Sequence, residues 1–138
     1  MPDLAAPSII IAMDVVDLAR SCGFYHDALG YTVEAVERAG LIFESRRLRS
    51  PLLPAVALHL REQFGIRVGG TQPGTVLRLS AHVDDLGSWA DRLLAAGVRW
   101  VIKPDVTIPA GTLRFADPNG YEWELFRTPA PLVVPPPV

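Results

Sequence analysis

The feature that most constrains this 138-residue chain is an order of hydrophobic periodicities that occurs twice. Ser8 to Met13 is a short β-branched run that reads as a strand. Asp17 then opens a helix, with Leu18, Cys22, Tyr25 and Leu29 spaced along one face, and Gly30 ends it. Tyr31 to Val36, Leu41 to Glu44 and Ala55 to Leu60 read as three more strands, punctuated by Gly40, Pro51 and Pro54. The same order then begins again. Thr75 to Val83 is a strand, and Asp85 caps a helix whose stripe is Leu86, Trp89, Ala90, Leu93 and Leu94. Gly97 closes that helix, and Val98 to Ile102, Gly111 to Phe115 and Tyr121 to Arg127 complete the set. Each half is β-α-β-β-β, and Asp17-Leu18 returns as Asp85-Leu86 at an offset of 68.

A duplicated unit that leaves one sheet face uncovered must bury it against its twin. The expectation is therefore an α+β fold: two βαβββ modules forming a curled mixed sheet with a concave cleft, helices on the outer face. The chain reads as a single domain over residues 1–138. Module 1 covers about 8–62, a glycine-rich connection about 63–74, module 2 about 75–127, and a proline-rich tail 128–138.

Charge narrows the function. The formal net charge is −2 with acids and bases interspersed, which excludes the concentrated basic face that nucleic acid or an anionic membrane requires. The most basic stretch, Glu44 to Arg49, holds three arginines and reads as a loop. One cysteine, Cys22, leaves no internal disulfide and suits a reducing cytosol. No run approaches the roughly 20 apolar residues of a membrane span, and the start Met1-Pro2-Asp3-Leu4 lacks a signal peptide's basic and apolar regions. A cytoplasmic protein is expected.

Alternation along the strands separates two faces. Ile9, Ile11 and Met13 oppose Ile10, Ala12 and Asp14. Leu77, Leu79, Ala81 and Val83 oppose Arg78, Ser80 and His82, and Tyr121, Trp123 and Leu125 oppose Glu122, Glu124 and Phe126. The apolar sets face helices. The mixed sets are either a solvated outer face or, if two curled sheets enclose them, a small-molecule cleft. Candidate cleft residues are Asp14, His59, Arg78, Ser80, His82, Trp100, Glu122, Glu124 and Phe126. Trp100 could line the cleft, but core is the preferred reading for it, and Trp89 and Trp123 read as core.

Three segments resemble the vicinal oxygen chelate superfamily, the group of glyoxalase I, extradiol dioxygenases and bleomycin-resistance proteins. They are Val16 through Phe24-Tyr25 to Leu29-Gly30-Tyr31, Val83-Asp84-Asp85-Leu86 through Gly97-Val98, and Asp117-Pro118-Asn119-Gly120-Tyr121-Glu122-Trp123-Glu124-Leu125-Phe126. The resemblance spans roughly residues 8 to 127. It implies a divalent metal held by residues of the first, fifth and last strands, with Lewis-acid chemistry on neighbouring substrate oxygens. Carried over, those positions fall on Ile10, Arg78 and Glu124. Only Glu124 is a ligand type; isoleucine has no lone pair and arginine has no acceptor atom. If the strands pair as in that group, Arg78 comes close to Glu124, and the ion pair fills the metal position or Arg78 holds an anionic ligand.

The leading expectation is a metal-independent small-molecule binding protein without a cofactor, resembling bleomycin-resistance proteins and working as a homodimer, with an antibiotic or aromatic metabolite as ligand. The alternative is a glyoxalase, epimerase or dioxygenase-type enzyme using zinc, iron, manganese or nickel through Glu124 with His59 or His82. A third is a catalytically silent member acting through dimerisation or a protein partner. No phosphate loop is present, and Ser21 and Cys22 have no evident base.

Overall fold

A computed structural model describes residues 4–39, 43–62, 77–102 and 111–127. In it the duplicated order becomes two modules: β1 (Ile9–Val15), α1 (Leu18–Leu29), β2 (Thr32–Ala39), β3 (Phe43–Arg49) and β4 (Val56–Glu62), then β5 (Arg78–His82), α2 (Leu86–Ala96), β6 (Arg99–Ile102), β7 (Thr112–Ala116) and β8 (Glu122–Phe126). Each module builds one four-stranded mixed sheet, ordered β1-β4-β3-β2 and β5-β8-β7-β6. The β1–β4 and β5–β8 pairs are parallel and the others antiparallel. The expected connection at 63–74 and the proline-rich tail lie outside the described residues. Among the described residues, no helix is long and apolar enough to cross a membrane.

Both helices start and stop by the same chemistry. The Asp17 carboxylate accepts from the Arg20 N–H and the Asp85 carboxylate from the Ser88 N–H, each at 3.1 Å, filling orphan donors of the first turn. Gly30 and Gly97 close the helices in the left-handed region, at φ 72° and 68°. Gly30 N–H donates to the His26 carbonyl and Tyr31 N–H to that of Tyr25.

The apolar parities of both sheets merge in one core. Met13, Val15, Leu58 and Leu60 of the first sheet and Leu79, Ala81, Trp123 and Leu125 of the second are buried with Leu18, Cys22, Tyr25 and Leu29 of α1. At its centre Tyr25 packs edge-on against Phe24, Tyr31 and Trp123, with centroids 5.2, 5.8 and 5.9 Å away. The stripe expected on α2 is shallower than its spacing suggests. Leu93 alone is fully buried there, and Leu94 is 54% exposed. Arg92 crosses from α2 to the end of α1, donating to the carbonyls of His26 and Asp27, and lies over Trp89.

One correction concerns strand limits. The strand expected at Leu41–Glu44 is Phe43–Arg49, so the arginine-rich stretch read as a loop is a strand between β2 and β4. Acids accommodate its charges: Glu34 receives hydrogen bonds from Arg47 and Arg49, both at 3.0 Å. Arg49 is buried and also donates to the Ala5 and Pro54 carbonyls. Its planar fork satisfies several acceptors at once, which makes a buried arginine tolerable.

Polar ties join the modules. The Tyr25 hydroxyl donates to Asp117 Oδ2 at 2.7 Å and accepts from the Trp123 indole N–H at 3.2 Å. Asp117 Oδ1 accepts from the backbone N–H groups of Asn119 and Tyr121 at 2.8 and 2.9 Å. The Asn119 side chain accepts from Val16 N–H and donates to the Ser21 hydroxyl, while the Tyr121 hydroxyl donates to the Asp14 carbonyl. Burial pushes the Asp117 carboxyl up from its ordinary value, against those hydrogen bonds, and pushes the Tyr25 phenol well up.

Candidate functional site

The side of each sheet away from the core carries a matched set of polar rows. In module 1, Ala12 pairs with His59 and Asp14 with Arg61, while β3 sets Arg47 beside His59 and Ser45 beside Arg61. In module 2, Arg78 pairs with Glu122, Ser80 with Glu124 and His82 with Phe126, while β7 sets Arg114 beside Glu124. The row Ala12–His59–Arg47 therefore corresponds to the row Ser80–Glu124–Arg114. By the internal repeat, His59 and Glu124 occupy equivalent positions.

Charges on these rows are paired. Arg61 Nη2 lies 3.0 Å from Asp14 Oδ1, Arg78 Nη2 3.2 Å from Glu122 Oε2, and Arg114 Nε 3.8 Å from Glu124 Oε2. Asp14 Oδ1 is buried without an aligned hydrogen bond, so its pair with Arg61 is a contact of charges. The His82 and Phe126 rings meet edge to face at 5.7 Å, giving the paired charges an aromatic neighbour.

The expected meeting of Arg78 with Glu124 does not occur. Parity places both on one face, but the parallel register sets Arg78 opposite Glu122 and leaves Ser80 opposite Glu124. Trp100 does not join the rows either. It pairs with Phe115 on the core parity, stacks edge-on against it at 6.3 Å, and is partly buried against the core. His82 stands two register positions from Glu124, roughly 7 Å along the strand, and His59 is on the other sheet. Asp14, Arg78, Ser80, His82, Glu122, Glu124 and Phe126 do share the core-distant faces. Arg47, Arg61 and Arg114 belong with them and were missed, although strict alternation from Leu48, Leu60 and Leu113 points to them.

A divalent cation does not fit the positions that the resemblance assigns to ligands. Ile10 offers no lone pair, Arg78 is a donor already bonded to Glu122, and Arg114 sets a guanidinium beside the one carboxylate. Among the described residues, no three His, Cys, Asp or Glu side chains converge as a ligand set. The rows can instead offer hydrogen-bond donors, paired charges and an aromatic edge to an organic molecule.

A separate recess of about 320 Å³ lies away from these rows, between α1, the end of α2, the start of β6 and the β7–β8 turn. Arg20, Phe24, Asp27, Gly97, Val98, Arg99, Ala116, Asp117 and Pro118 are among the residues lining it.

Two mixed sheets built by duplicated βαβββ modules, with polar rows on their core-distant faces, define a paired-module α+β class. The chain belongs to the glyoxalase/bleomycin resistance protein/dioxygenase superfamily, whose family model matches residues 10–125. Solved structures agree. A glyoxylase/bleomycin resistance protein/dioxygenase domain from Frankia sp. EAN1pec is 26% identical over 91% of this chain and 93% of its own, with a TM-score of 0.64. TnmS3, an antibiotic binding protein from Streptomyces sp. CB03234, is 23% identical over 92% and 98%, with a TM-score of 0.61. The trypanothione-dependent glyoxalase I of Leishmania major is 19% identical over 89% and 87%, with a TM-score of 0.69. No curated protein sequence matches significantly.

Proposed function

We propose that this chain is a metal-independent binding protein for a small amphiphilic organic molecule, an antibiotic or aromatic metabolite, held on the polar rows without being transformed. One observation carries the reading: a guanidinium stands where a chelate site needs a ligand, Arg78 bonded to Glu122, and a second, Arg114, lies beside the remaining carboxylate Glu124. The antibiotic-binding function of the similar TnmS3 agrees with it. The rows are open in one copy, with Ile10 52% exposed and the Arg78 side chain 48% exposed. We further infer a homodimer in which a second copy covers them, making the cleft that a ligand of this kind requires. The protein works in the cytoplasm, in keeping with its lone buried thiol.

A second reading, a metal-dependent lyase, isomerase or dioxygenase, draws on the equivalence of His59 and Glu124. Pairing two faces would bring an imidazole and a carboxylate to one cleft. Two measurements decide between them. Elemental analysis of protein purified without a histidine tag is expected to find only traces of metal, and calorimetric titration with a panel of aromatic antibiotics a saturable ligand. Near-stoichiometric zinc, iron, manganese or nickel that is lost in Glu124→Gln would overturn the proposal.

A further inference from the structure

We propose that the recess beside α1 is a second binding site, separate from the polar rows, for a compact organic carboxylate with an apolar body. Its volume of about 320 Å³ is at the small end of the range that holds small ligands. Phe24, Val98, Ala116 and Pro118 give it apolar surface, and the Phe24 ring is fixed by its contacts with Tyr25 and Phe115. At Gly97 the space that a side chain would fill is open, which lets a ligand approach the backbone.

The unpartnered guanidinium groups select the ligand. Two guanidinium groups, Arg20 and Arg99, and two carboxylates, Asp27 and Asp117, line the recess. Both carboxylates are already engaged. Asp27 lies 3.1 Å from His26 Nδ1, and the Asp117 oxygens receive three hydrogen bonds from Tyr25, Asn119 and Tyr121. Among the described residues, neither the Arg20 nor the Arg99 side chain has an ion-pair or hydrogen-bond partner, unlike the arginines of the polar rows, each of which faces an acid. Two guanidinium forks without an acid partner, beside apolar surface, suit a carboxylate on an apolar body, because each fork matches the two oxygens.

The test is a nuclear magnetic resonance titration of the full chain at constant ionic strength with benzoate, benzyl alcohol and benzylamine, which share a ring and differ in charge. Benzoate is expected to shift the amides of Gly97, Val98 and Arg99 saturably. It should bind about tenfold or more tightly than the alcohol, as a charge-assisted hydrogen bond provides. The double variant Arg20→Ala/Arg99→Ala should lose about the same factor. Both arginines are exposed, so the variant should keep its unfolding midpoint. Benzylamine binding as tightly as benzoate, an undiminished affinity in the folded variant, or shifts confined to the rows around Ser80 and Glu124 would each overturn the assignment.

Discussion

Replacing Tyr25 by phenylalanine removes one oxygen from the interior and leaves the ring in its cage of Phe24, Tyr31 and Trp123. The ring volume is kept, so the cost is polar. The hydroxyl is the donor to Asp117 Oδ2 and the acceptor for the Trp123 indole N–H. A hydrogen bond to a charged group is worth about 1.5–3 kcal/mol, and a buried donor left without an acceptor costs about 1–3 kcal/mol. The variant should therefore lose about 3–5 kcal/mol near neutral pH. The penalty should also depend on pH. Burial already holds the folded-state carboxyl of Asp117 above its ordinary value of 3.8, and the Tyr25 bond is what lowers it most. Without that bond the folded-state value rises further. A group with a raised folded-state pKa binds more protons when folded; its stabilising effect is present at low pH and lost as pH rises through the folded value. The deficit of the variant should shrink as pH falls from neutral through the raised folded-state range of the Asp117 carboxyl. Urea unfolding of both proteins at equal concentration measures this. A loss below about 1 kcal/mol, or one that does not change with pH, would refute the reasoning.

Two further outcomes follow from the same interior. Burial raises the Cys22 thiol while the nearby Arg46 opposes the rise, so the thiol should react with Ellman's reagent far more slowly in native protein than in denaturant; fast native labelling would contradict its placement. Gly30→Ala forces a side chain into φ 72° and brings its Cβ to 3.4 Å from the Arg92 guanidinium, which should cost about 1–2 kcal/mol in urea unfolding, and no cost would deny the left-handed cap.

The order of elements was legible because each signal is local. Helical spacing in α1, Asp caps, closing glycines and parity along β8 need only neighbouring residues, and Leu18, Cys22, Tyr25 and Leu29 are all buried as their spacing requires. What failed depends on partners far along the chain. The arginines of β3 look like a loop until Glu34 and the carbonyls of Ala5 and Pro54 are set beside them. Parity assigns Arg78 and Glu124 to one face, yet nothing near either residue fixes the register of two parallel strands. That register decided that Arg78 meets Glu122. Leu94 fits the stripe of α2 by spacing, but Leu93 is the residue of that helix that reaches full burial. Trp100 was open between cleft and core because a four-residue strand with a register shift gives alternation little to work with, and the preferred core reading is where it packs.

The ties between the modules connect residues 92, 98, 103 and 107 positions apart. During synthesis, the first module can form its caps and its local strand pairings as it emerges. It must wait for the segment around Asp117 to Tyr121, some hundred residues later, before Tyr25, Ser21 and the backbone of Val16 find their partners. Contacts this distant demand closure of a long loop before they return any energy, which slows folding. The nascent half is therefore an interval of exposed aromatic surface, and the cell must shelter it until the last strands arrive.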